Sequence, residues 1–247
     1  MRLYVQNVEN NIVSTVQGPR GAIVTLCPHR FKEKNTIFEW IGESLLGHPR
    51  ALIAGEVPFL EKPATDTSTD EDSAAEDVGR IDNVLVHPSR DPIHWCALEM
   101  QAVYFSGYAM TDEFKLIRSW SKSEMPFPAR IRRPDYRSSG PKRLMPQLQI
   151  KVPTLRRWGK KMAVVVDRNF FDALGKMDAV EDVSNCDIAW FIVRYRDDGR
   201  IIHLERDSVI LTTLERAVEG LTGGLPVSLE EFEKRIRGKL KGIDSAS

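Results

Sequence analysis

Long hydrophobic runs are missing from this sequence. No stretch approaches the roughly 20 consecutive apolar residues that a membrane-spanning helix needs. The opening residues MRLYVQNVENN place no apolar segment behind a basic start, so nothing suggests export. Cysteine is scarce: Cys27, Cys96 and Cys186 are odd in number, far apart, and form no C-x-x-C pair. That pattern excludes a disulfide framework and a cysteine-built zinc centre, and it fits reduced thiols in a cytoplasm. An excess of one charge is also absent, since 35 Lys and Arg balance 35 Asp and Glu. At 247 residues, with 42% hydrophobic and 28% charged, the chain can bury a full core. We expect one domain over residues 1–247, of α/β class with a mixed central sheet.

The neutral sum hides an uneven distribution. Between Lys115 and Lys161 there are fourteen Lys and Arg against only Glu124 and Asp135. Between Glu61 and Asp77 seven acids face Lys62 alone. A basic middle therefore follows an acidic segment, residues 61–79, whose low hydrophobicity predicts a mobile surface loop. The basic stretch reads as a phosphate-tracking surface. Arg130, Arg132, Arg133, Arg137, Lys142 and Arg143 lie in predicted loop, and Arg156, Arg157, Lys160 and Lys161 at a helix end. Loop arginines can also reach guanine edges in the major groove.

Periodicity organises the rest. AIVTL (22–26) reads as a short strand, and Ile37, Trp40, Ile41, Leu45 and Leu46 recur at helical spacing. Strands are expected over 51–58, 80–87, 94–107 and 162–166, the third as one unbroken run. Helices are expected over 111–122 and over 141–158, where Pro146 and Pro153 should kink or restart the second. A helix near 168–175 follows, then a hairpin over 187–211 turning at Asp197-Asp198-Gly199. Helices near 212–220 and 227–240 complete an elaboration on the core.

The chemistry concentrates in two strands. Side chains at i and i+2 share a strand face, so Glu99 and Gln101 project together. Their surroundings, WCALEMQAVYF, suit a strand buried on both sides, where a carboxylate is costly unless paired, protonated or bound to a cation. Asp82, between Ile81 and the run Val84 to Val86, is in the same position. If the two strands are antiparallel neighbours across PSRDP, the carboxylates converge and repel, and a divalent cation resolves the repulsion. Oxygen-only ligation is the preference of Mg2+. A magnesium site beside a basic, phosphate-attracting region points to phosphodiester hydrolysis.

An acid followed by Glu-x-Lys on adjacent strands is the signature of the PD-(D/E)xK nucleases, and this chain carries Gln101 in the lysine position. TLCPHR (25–30), the Asp82 strand and LEMQAVYFSG (98–107) resemble the NotI-type restriction endonucleases. The resemblance covers about residues 25–107. It implies a restriction-endonuclease-like mixed sheet flanked by helices. It also implies Asp82, Glu99 and the backbone carbonyl of Met100 as metal ligands, and Gln101 orienting the attacking water. An extra acid from the preceding helix would be Glu43, or else Glu39. Relatives of this type hold a structural iron through clustered cysteines. Only Cys27 matches such a cluster, so no iron is expected. Double-stranded DNA is the expected substrate, and palindromic cutting calls for a homodimer. The alternative is a DNA-binding protein that keeps the fold without efficient catalysis. His87 and His94 flank the connector and could form a metal pair, but loop histidines read more simply as exposed bystanders.

Overall fold

The computed structural model describes residues 4–7, 12–15, 23–61, 77–105, 111–119, 133–199, 201–223 and 227–240. Two short strands, β1 (Tyr4–Asn7) and β2 (Ile12–Thr15), pair antiparallel. Helix α1 (Thr36–Ile41) runs into a wider π turn, Gly42–Leu46. Then come β3 (Leu52–Glu61), β4 (Asp77–Val86), β5 (Trp95–Met100), β6 (Tyr104–Phe105), α2 (Thr111–Arg118) and β7 (Pro134–Asp135). Helices α3 (Tyr136–Ser139) and α4 (Met145–Arg157) lead to β8 (Met162–Asp167) and α5 (Arg168–Asp172). The chain closes with β9 (Ile188–Asp197), β10 (Ile202–Thr212), α6 (Leu214–Thr222) and α7 (Leu229–Arg237).

Six strands form the central sheet in the order β10-β9-β8-β5-β4-β3. β8 is parallel to both of its neighbours, and the other pairings are antiparallel, so the sheet is mixed. A parallel β5–β8 pair needs a crossover, and α4 lies within it. All six residues of β8 are buried, as expected for a central strand covered on both faces. On one face Ala97, Val164, Trp190 and Ile192 pack with Leu148, Val152 and Leu155 of α4 and Ala217 and Leu221 of α6. On the other, Leu85, Leu98, Val165 and Phe191 pack with Phe31, Ile37, Ile41 and Leu46. Trp190 keeps its one polar atom satisfied by donating to Thr212 Oγ1 at 2.9 Å.

Several expectations need correction. Residues 23–27 form no strand. Thr25 instead gives its N–H to the Asp167 carboxylate at 2.7 Å, its carbonyl accepts from Val103 N at 2.7 Å, and its hydroxyl meets that of Tyr195 at 2.6 Å. The run expected over 94–107 breaks after Met100 and resumes only as β6. Helix α4 neither breaks nor restarts. Pro146 lies where a π turn, Gly140–Leu144, gives way to α4, and Pro153 lies within the helix. Pro153 and Gln149 are both exposed, so water can take the carbonyl that Pro153 leaves unbonded. Strands β3 and β4 extend into the segment expected as acidic loop, and residues 62–76 lie outside the described residues. The hairpin expected as an elaboration supplies β9 and β10 of the central sheet, turning where Asp197-Asp198-Gly199 predicts.

Candidate active site

Strand register brings the two carboxylates together. β4 and β5 pair from Val86–Trp95 to Asn83–Leu98, and one further step sets Asp82 opposite Glu99. On its other side, pairing of β4 with β3 passes over Glu56 and Asp82, where Glu56 is left-handed at φ 50°. Asp82 thus sits where the ladder opens on both sides. Its side chain is 53% exposed, whereas that of Glu99 is 4% exposed. Glu99 lies beside Ala97 on the α4 face of the sheet, deep enough that burial pushes its carboxyl up to about 7. The Lys151 ammonium pulls the other way, and the Asp82 charge adds to the push.

Lys151 is the residue that sequence reasoning missed. It projects from the buried stripe of α4, and its Nζ donates to Glu99 Oε2 at 2.7 Å and lies 3.6 Å from Asp82 Oδ1. Gln147, one turn earlier, accepts from the same Nζ at 3.1 Å. The signal was present in the sequence. A lysine between Leu148, Val152 and Leu155 occupies an apolar face, and a buried lysine requires a carboxylate partner.

The remaining candidates divide. Gln101 follows the last residue of β5; its backbone N donates to Val165 O at 3.0 Å, and its side-chain amide turns to Ala102 O at 2.6 Å. It is buried next to the site, with its amide N–H given to the backbone and not to either carboxylate. Met100, whose carbonyl the resemblance names as a ligand, ends β5 beside them. Glu43 is not brought to the site. It pairs with Arg206 of β10 at 2.5 Å, and its helical segment packs on the face of the sheet opposite Glu99. Glu39 reaches the same arginine at 4.0 Å. His87 Nδ1 accepts from Ser89 N at 3.1 Å, which commits that ring nitrogen to the turn. Among the described residues, no group of three or more His, Cys, Asp or Glu is placed to hold a metal.

The basic residues also separate. Arg130 and Arg132 lie outside the described residues. Arg133, Arg137, Lys142 and Arg143 are exposed around β7, α3 and the start of α4, and the Arg143 guanidinium stands 3.8 Å from the Tyr104 ring centroid. Tyr104 follows the end of β5 that carries Glu99, so this group shares the carboxylate end. Arg156, by contrast, donates to Asp187 at 2.9 Å and Glu215 at 3.0 Å. Those bonds raise its already high pKa and commit its charge within the fold. Lys161 donates to the Ser184 and Cys186 carbonyls, Lys160 sits 5.4 Å from the Trp95 ring centroid, and Arg157 donates to Thr154 at 3.1 Å. Arg156 and Lys161 thus already give donors to protein partners.

The arrangement pairs an all-oxygen donor set with an exposed basic flank, at the open end of a mixed sheet. A family profile described as restriction endonuclease NotI matches residues 1–204. The chain belongs to the NotI restriction endonuclease family. The match runs beyond both ends of the 25–107 stretch and takes in Lys151 with α4, β8 and β9. It places the chain among DNA endonucleases of restriction type, with the corresponding fold. No individually curated protein matches the sequence. None of the described helices is long and apolar enough to cross a membrane.

Proposed function

We propose that the chain is a Mg2+-dependent endonuclease that hydrolyses phosphodiester bonds in double-stranded DNA as a homodimer in the cytoplasm. The observation that carries this reading is the convergence of Asp82 and Glu99 at a gap in strand pairing. Glu99 is held from the buried side and Asp82 opens toward solvent. Asp82 and Glu99, with the Met100 carbonyl, would hold the cation. Bound there, Mg2+ would supply Lewis-acid polarisation of the phosphate and a more acidic water. The donor chemistry fits, because hard cations of this kind take oxygen ligands and keep part of their water shell.

The protein's own groups account for the rest. Hydrolysis joins a water oxygen to phosphorus as that water gives one proton to solvent, and breaks the bond to one ester oxygen, which leaves with a proton from solvent. Gln101 orients that water, since an amide both accepts and donates hydrogen bonds. It brings no charge to the developing phosphorane. Arg137, Lys142 and Arg143 neutralise DNA phosphates along the same end and set the register of the duplex.

Plasmid DNA incubated with the protein tests the reading. Cutting should require Mg2+, stop on chelation, and be abolished by Asp82→Ala or Glu99→Ala while metal-free DNA binding persists. Cleavage at the parent rate in either variant would remove these carboxylates from the mechanism. A protein that binds DNA but cuts none with any divalent cation would establish the non-enzymatic alternative.

A further inference from the structure

We propose that Lys151 supplies the site's fixed positive charge, from a helix, in place of the strand lysine that Gln101 replaces. The inference rests on the nuclease reading above and deepens it. Three observations carry it. The Lys151 Nζ reaches both carboxylates, at 2.7 Å from Glu99 and 3.6 Å from Asp82. Its side chain is 8% exposed on a stripe otherwise filled by Leu148, Val152 and Leu155. An aliphatic residue there would pack without the desolvation that a buried ammonium suffers. Gln147 adds a third partner at 3.1 Å, which aims the ammonium along the helix toward the carboxylates.

Charge explains why one lysine can serve two states. Without a cation, the buried Glu99 and the exposed Asp82 bring two carboxylates together, and the Lys151 ammonium lies between them and offsets their charge. With a cation on the carboxylates, the Lys151 ammonium no longer has to neutralise them. Its flexible four-carbon stem can then turn toward the phosphate, where negative charge builds up during hydrolysis. An amide at position 101 cannot make that contribution. No proton is exchanged with Lys151 in this role; it acts as a charge.

Single-turnover cleavage by the parent, Lys151→Met, Lys151→Gln and Asp82→Ala, with Mg2+ titrated, tests the proposal. Ca2+ binding by calorimetry and metal-free DNA binding are measured on the same samples. Lys151→Met should cut about 100-fold more slowly at saturating Mg2+, the loss typical when one preorganised charge-stabilising donor is removed. Its Ca2+ affinity should hold or improve, because a competing cation has been removed from Glu99, and metal-free DNA binding should be unchanged. Lys151→Gln keeps a donor for Glu99 and should show the same split if the methionine variant fails to fold. Cleavage at the parent rate in the folded variant overturns the proposal. So does a loss of cutting matched by a loss of Ca2+ binding, which would make Lys151 a strut for the ligands. If Asp82→Ala is inactive while Lys151→Met cuts at the parent rate, the inference alone fails. A parent that cuts with no divalent cation removes the nuclease reading and the inference together.

Discussion

The two ends of α4 carry similar charges in sequence and opposite arrangements in space. At its start, Lys142 and Arg143 are exposed, Arg143 stacks on Tyr104, and the Asp82–Glu99 gap lies at the same end of the sheet. At its finish, Arg156 is clamped by Asp187 and Glu215, and Lys161 is bonded to two carbonyls. Asp187 also accepts from Leu214 N at 2.9 Å, so the Arg156 cluster fastens the start of α6 to the sheet. A run that reads as evenly basic is thus exposed at one end and committed to contacts within the fold at the other. Counting charges could not separate them, because the acids that occupy Arg156 lie 31 and 59 residues further along.

If that contrast is right, substitutions at the near end should act on DNA and those at the far end on stability. Short of the carboxylate substitutions, the largest effect is expected for Gln101→Ala, which removes the proposed water-orienting amide. The single-turnover rate should fall by about 10²-fold at saturating Mg2+, within the range for loss of one positioned catalytic group. An unchanged rate would make Gln101 structural. Next comes Lys142→Glu combined with Arg143→Glu. DNA affinity should drop, and the log–log salt slope should flatten by about one for each DNA phosphate that is no longer neutralised. An unchanged slope would move the DNA surface elsewhere. Smaller still is Arg156→Ala, which leaves the half-buried Asp187 without its strongest partner. Thermal or denaturant unfolding should show a loss of about 1–2 kcal/mol, discounted because the arginine is itself partly exposed. DNA affinity should not change, and a weakened affinity would erase the distinction between the two ends.

The sequence made part of this legible and hid the rest for physical reasons. The burial of Glu99 can be read because a carboxylate inside an apolar strand advertises its own cost, whereas Asp82, expected in the same position, is 53% exposed. The β9–β10 turn can be read because Asp-Asp-Gly leaves few alternatives, and Gly199 does adopt φ 86°. Strand β8 announces itself through MAVVV. What stays hidden is whatever depends on partners distant in the chain. Residues 22–26 look β-branched enough for a strand, yet Thr25 is held by Asp167, 142 residues away, and by Tyr195, 170 residues away. The strand through Glu99 looks continuous to residue 107, but Val103 is drawn to Thr25 and the ladder ends at Met100. The apolar spacing around Lys151 marks it as buried, but its partner lies 52 residues away and cannot be named from the sequence. Glu43 follows only from analogy with related folds, and Arg206 holds it on the other face.

If the carboxylate end of the sheet cuts DNA, binding and cutting should be separable there. The most direct measurement compares the parent with Asp82→Asn, an exposed and nearly isosteric change, on the same labelled duplex. Metal-free binding and Mg2+-dependent single-turnover cleavage are read side by side. Binding should persist at the parent affinity or tighter, because one negative charge has gone, while cleavage is lost. Cleavage by Asp82→Asn at the parent rate, with the same Mg2+ dependence, would contradict that expectation.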